Sequence, residues 1–269
     1  MERPAVPADV WAGASDYQRY VGRWSRLVAV EFVPWVGVPP GARWLDVGCG
    51  TGALTETVLL HAAPAAVVGI DPSPHFVTYA AERVPDPRAT FREGTAQAVP
   101  LDDAAVDAVV AGLVLNFVPD RDAALREMRR VTRTGGTVAA YVWDYTGGMQ
   151  LMRHLWDAAV ALDPAAASAH EGSRFGFCRP DPLRALLAGA GFEAVEVEPI
   201  VVPTVFADFD DYWTPFLRGS APAPSYVQSL DDTARTALRD ALRDRLPIDA
   251  DGSIHLTARA WAVRGRRPA

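Results

Sequence analysis

The 269-residue sequence predicts a doubly wound, mostly parallel seven-stranded α/β sheet with a helical cap inserted near the C-terminus. Three observations predict it. Seven short β-rich runs are spread along the chain, and the first five alternate with helical stretches. Strand–helix alternation at this spacing calls for a parallel sheet covered on both faces. The first run passes into a glycine-rich turn that opens a helix, and the second closes on an acid, Asp71.

In chain order, ARWLDVG is followed by a helix over residues 53–61, and AAVVGID by a helix over residues 74–84. ATFREG and VDAVVAGLVL supply the third and fourth strands. Residues 120–136 then read as a helix. Asp120 is its N-cap, Leu125, Met128 and Thr132 share one face, Arg129, Arg130 and Arg133 crowd its last turn, and Gly135-Gly136 stop it. TVAAYVW is the fifth strand. Residues 149–162 and 181–189 predict two further helices, and residues 192–206 and 253–263 the last two strands.

Between those strands lies a stretch rich in aromatics and proline, too apolar for a solvated connection, which predicts a cap over residues 204–250. Its APAP at 221–224 reads as a stiff loop. The expected division is an N-terminal lid region over 1–40, a ligand-binding core over 41–146, and cap helices with the final strands over 147–269.

Composition narrows the function. With 49% hydrophobic and 22% charged residues the chain can bury a full core. The net charge is −7 and all 26 basic residues are Arg, so the surface repels phosphate backbones and no nucleic-acid partner is expected. Cys49 and Cys178 stand apart with no CxxC pair, giving neither a disulfide framework nor a metal site. The start MERPAVPADV has no basic and apolar leader, and the long uncharged run near residue 60 is broken by His61 and Pro64. A cytoplasmic protein with no membrane span is expected.

The strongest functional signal is Trp44-Leu45-Asp46-Val47-Gly48-Cys49-Gly50-Thr51-Gly52, where a ligand can lie against bare backbone. Asp71, one strand later, is placed to accept both hydroxyls of a ribose. The pair points to a nucleoside-containing cofactor. A dinucleotide fingerprint reads GxGxxG and sets a pyrophosphate on the helix N-terminus, where a nearby carboxylate would repel it. Here the spacing is GxGxG and Asp46 precedes it. A carboxylate there suits a ligand with a positive centre, which favours S-adenosylmethionine over NAD.

LDVGCGTG, GIDPS, GTAQAVPL, VVAGLVLNFVPD and a helix ending in GG together resemble the class I S-adenosylmethionine-dependent methyltransferases, in their UbiE-like, type 11 group. The likeness runs over about residues 17–143. It implies backbone contacts from Gly48 and Gly50 to the methionine end of the donor, Asp46 near its amine, and Asp71 on the ribose. It places Pro72 and Phe76 against the adenine, Thr95 and the Ala96 amide on the adenine edge, and the Ala111 carbonyl on the methionine amine. Thr95 departs from the pattern, because relatives often carry an acid there.

Tyr17, Tyr20 and Arg23 recur at helical spacing. In relatives such a helix closes over the donor, which implies Tyr20 and Arg23 on the methionine carboxylate. Asn116 and Trp143 follow the fourth strand and end the fifth, at the edge where doubly wound folds hold ligands. With Trp213 and Tyr226 of the cap they are the candidates for binding a small organic acceptor. A sulfonium methyl is already activated, so positioning and desolvation are the main tasks and no catalytic residue is assigned. The expectation is methyl transfer to oxygen, carbon or nitrogen of that acceptor. The alternatives are an NAD-dependent oxidoreductase and a non-catalytic binding protein of the same fold.

Overall fold

The computed structural model of the chain describes residues 22–170, 172, 175–218 and 221–269. Tyr17 and Tyr20, and with them most of the expected lid, lie outside the described residues. A seven-stranded sheet runs in the order β3-β2-β1-β4-β5-β7-β6, formed by β1 (Arg43–Val47), β2 (Ala66–Asp71), β3 (Ala89–Glu93), β4 (Val106–Gly112), β5 (Thr132–Trp143), β6 (Glu193–Phe206) and β7 (Ile254–Arg266). β1 pairs in parallel with β2 and β4, β2 with β3, and β4 with β5, while β7 runs antiparallel to β5.

Parallel strands covered on both faces read as near-continuous apolar runs, and β4 and β5 do so. From β1 the chain winds outward through β2 and β3, then returns to the other side of β1 as β4. The C-terminal ends of β1 and β4 therefore form the topological switch point at which such sheets hold ligands.

The chain divides into two compact units. The first comprises Arg26–Asp144, Phe177–Val201 and Arg259–Ala269, and the second the described residues of Met1–Ser25, Tyr145–Gly176 and Val202–Ala258. α1 (Arg23–Val36), which enters the first unit at Arg26, buries Val28, Phe32 and Val36 on one stripe, and Phe32 meets the Tyr141 ring edge-on at 4.8 Å. Next come α2 (Ala53–His61), α3 (Pro74–Arg83) and α4 (Arg121–Val131).

Asp120 caps α4 as expected, accepting the Ala123 amide at 2.9 Å. The helix nevertheless ends at Val131, five residues short of the expected Gly135-Gly136 stop. Thr132 is fully buried, pairs with Val106 and donates its hydroxyl to the Met128 carbonyl. Residues 133–136 then bulge before the β4–β5 pairing resumes at Thr137. Gly136 fits because a Cβ there would stand 2.7 Å from the Asp107 carbonyl oxygen. Gly136 serves a close strand approach and Gly135 a left-handed turn of the bulge at φ +73°, rather than a helix cap. The fourth strand also stops early, at Gly112.

The second unit holds α5 (Gln150–Leu162), α7 (Phe209–Trp213), α8 (Pro222–Ser229) and α9 (Asp232–Arg245), while α6 (Pro180–Gly189) belongs to the first. Its core is aromatic: the Tyr212 ring meets Phe206 at 5.3 Å and Phe216 at 5.6 Å. The Tyr212 hydroxyl donates to the Leu151 carbonyl at 2.8 Å, so its one polar atom is satisfied where the ring is buried. APAP is not a stiff loop. Its first proline opens α8, where proline lacks only an amide that would have no helical partner.

Candidate active site

The glycine turn is pinned to the neighbouring strand. The Gly48 and Cys49 amides both donate to the Ile70 carbonyl, at 2.8 and 2.9 Å, so the turn is held at the end of β2. Gly48, Gly50 and Gly52 take φ of +71°, +51° and +80°, a region that side chains with a Cβ enter at a cost. A Cβ on Gly48 would collide with Val114, whereas a Cβ on Gly50 would meet nothing within 4 Å among the described residues. The middle of the turn therefore presents bare backbone to open space.

Asp71 ends β2 and is buried. One carboxylate oxygen accepts the Gly50 amide at 3.0 Å and the other the Ser73 amide at 2.9 Å. Burial pushes its carboxyl above the usual range, and the two amides oppose the shift. Two amide bonds leave lone pairs on both oxygens for further donors.

Asp46, two residues before the turn, is only 1% exposed. The Thr55 hydroxyl donates to its Oδ2 at 2.7 Å, but Oδ1 is buried with no partner among the described residues. Burial pushes its carboxyl up to about 7, against the Thr55 hydrogen bonds and with help from the charge on Asp71. Thr55 carries no motif that sequence reasoning had singled out. Its place in the first turn of the helix after the glycine loop is the only signal it offers.

The remaining first-unit candidates sit along the same C-terminal edge. Pro72 is exposed and Phe76 half-buried, with the Phe76 amide donating to the capping Ser73 hydroxyl. Thr95 is exposed and its carbonyl accepts the Ala98 amide, while Ala96 is buried. Ala111 is fully buried and pairs with Ala140. Leu113 follows β4 at φ +62°, a strained setting for a branched side chain, and its amide donates to the Tyr141 carbonyl. Asn116 is buried, and the buried Trp143 indole nitrogen has no acceptor among the described residues.

Arg23, Trp213 and Tyr226 belong to the second unit. Arg23 Nη1 pairs with Asp211 at 3.0 Å, and its guanidinium lies 4.3 Å from the Trp24 ring centre and 4.9 Å from that of Phe206. Its Nε and Nη2 are buried without a partner among the described residues. Trp213 is 5% exposed and stacks on Phe209, whereas half-buried Tyr226 leans on Trp156 at 5.1 Å. His154 and His170 are held below their usual range by burial, and His170 Nδ1 accepts the Gly172 amide.

Residues 45–140 match a family model described as a methyltransferase domain. A demethylmenaquinone methyltransferase of Roseiflexus castenholzii is 32% identical over 60% of this chain and 72% of its own length. An arsenite methyltransferase of Halobacterium salinarum is 31% identical over 65% of this chain and 44% of its own. Among solved structures, a phosphoethanolamine N-methyltransferase of Haemonchus contortus in complex with S-adenosyl-L-methionine aligns with a TM-score of 0.61 at 16% identity, covering 99% of this chain and 61% of that one.

Proposed function

Since the chain belongs to the class I S-adenosylmethionine-dependent methyltransferases, in their UbiE-like, type 11 group, we propose that its glycine turn and the two acids beside it bind the methyl donor for transfer to a small organic acceptor. The observation that carries this reading is the unpartnered Asp46 Oδ1. A buried carboxylate oxygen with no donor is costly unless a cation completes it, and the donor has an ammonium. The open backbone at Gly50 fits the same ligand, because a Cβ there would enter space that no described residue fills.

When bound, the donor supplies a methyl group already activated by its sulfonium. The protein's residues bind and orient. Asp46 takes the ammonium, with the Ala111 carbonyl as a second acceptor, and the free lone pairs of Asp71 take the ribose hydroxyls. Pro72 and Phe76 flank the adenine, while the Ala96 amide and the Thr95 hydroxyl face its edge. Rate enhancement then comes from holding the acceptor atom in line and excluding water.

Two relatives are named for demethylmenaquinone and for arsenite, which supports a small acceptor without fixing its kind. We assign acceptor choice to residues 204–250. No nucleic-acid or membrane partner is part of this reading, and no helix among the described residues is long and apolar enough to cross a membrane.

Calorimetric titration with S-adenosylmethionine, S-adenosylhomocysteine and NAD tests the donor assignment. The two S-adenosyl compounds should bind and NAD should not. Binding of NAD alone overturns the reading, and binding of the donor without turnover on any quinol, phenol, amine or thiol acceptor overturns its catalytic half.

A further inference from the structure

We propose that Thr55 is a positioning residue for the donor site: its hydroxyl holds Asp46 so that Oδ1 is left for a cationic ligand end, and ligand binding requires Asp46 to release its proton to solvent. The proposal rests on the donor reading above and deepens it.

The geometry is a fully buried hydroxyl, on the first turn of α2, donating at 2.7 Å to one oxygen of a fully enclosed carboxylate. That bond fixes the rotamer of Asp46. Among the described residues Oδ1 has no partner, and no basic side chain pairs with the group. The titratable neighbours whose fields reach it are Asp71, at the end of β2, and Cys49, in the turn. Neither compensates a charge on Asp46. Asp71 is of the same sign, and burial pushes the Cys49 thiol upward, which keeps it neutral.

An ionised Asp46 is thus poorly supported until a cation arrives, and its carboxyl lies at about 7 in consequence. A ligand ammonium at Oδ1 favours the charged form and draws the carboxyl down, so the proton must leave. Thr55 acts on the same balance, because a hydrogen bond to the carboxylate stabilises the ionised form that binds.

The test is calorimetric titration of S-adenosylhomocysteine into the full chain at pH 6 and pH 8, each in two buffers of different ionisation enthalpy. A group titrating near 7 gives a release of about 0.9 proton per ligand at pH 6 and about 0.1 at pH 8, with affinity rising about tenfold between them. 5′-Methylthioadenosine, which lacks the ammonium, should bind with no such release. Thr55→Val should move the midpoint up by about one to two pH units, and Thr55→Ser should restore it.

Binding without net release at pH 6, or release that 5′-methylthioadenosine reproduces, overturns the proton coupling while leaving the donor site standing. A midpoint unmoved in Thr55→Val overturns the role of Thr55. If that variant does not fold, the wild-type proton inventory decides the coupling, and an unmoved midpoint in Thr55→Ala overturns the role of Thr55. Absence of binding at both pH values overturns the donor reading and this proposal with it.

Discussion

Asp71 and Gly50 are joined by a 3.0 Å hydrogen bond from the Gly50 amide to the Asp71 carboxylate, so the acid that closes β2 also holds the middle of the glycine turn. Asp71→Ala should therefore do two things. Leaving the Gly50 and Ser73 amides without their acceptor should cost about 1–3 kcal/mol of stability, and loss of the ribose contact should weaken S-adenosylhomocysteine by about 1.5–3 kcal/mol. Asp71→Asn, which keeps one carbonyl acceptor, should recover more stability than affinity. Urea denaturation beside calorimetry measures both, and full affinity in Asp71→Asn would remove the ribose assignment.

Gly50→Ala separates strain from occlusion. At φ +51° an alanine costs about 1–2 kcal/mol, and because no atom of the described residues lies within 4 Å of its Cβ there is no clash to add. The new methyl enters the space assigned to the donor. Affinity should fall by tenfold or more while the melting temperature drops only modestly. A destabilised protein that keeps its affinity would show that the ligand lies elsewhere.

These two residues were legible because their demands are local. A strand that runs into alternating glycines dictates left-handed backbone whatever the rest of the chain does, and Asp120 could be identified as a cap from its own helix. Tertiary partners decided what was misread or left no trace in the sequence. The end of α4 is set by Thr132 pairing with Val106 and by the Asp107 carbonyl against Gly136, neither of which leaves a mark in residues 120–136. Arg23 pairs with Asp211 across 188 positions of sequence. Thr55 was missed because eight intervening residues, folded through a turn, bring its hydroxyl to Asp46.

Asp46 should make the ligand-free protein less stable as pH rises. Its folded-state carboxyl lies at about 7, above the ordinary 3.8, so the folded state holds a proton that the unfolded chain gives up earlier. Stability from this group is complete below about pH 4 and is lost as pH rises through 7, a loss of about 4 kcal/mol in all. Asp46→Asn should flatten that part of the pH–stability curve and be at least as stable as wild type at pH 8, yet bind donor worse. Chemical denaturation from pH 4 to pH 8 checks it, and an identical slope in the variant would remove the assignment of the buried proton to Asp46.

The cap offers the sharpest division between packing and selectivity, because its two aromatic candidates are buried to different extents. Trp213 is 5% exposed and stacks on Phe209 beside Phe216, so Trp213→Ala opens a cavity and should cost about 3–5 kcal/mol of stability. Tyr226 is half-buried, its ring tilted against that of Trp156 at 5.1 Å, so Tyr226→Ala should fold with a smaller loss. Neither change should move S-adenosylhomocysteine affinity by more than about 0.5 kcal/mol, as expected for sites that share no partners. A change in the relative kcat/KM values across a panel of small acceptors is expected for Tyr226→Ala, since Tyr226 is the less buried of the two rings. Trp213→Ala should alter rates only in proportion to the folded fraction. A folded Tyr226→Ala protein that lost donor affinity tenfold yet kept the same acceptor ranking would place residues 204–250 in the donor site and reverse the division of labour argued for the chain.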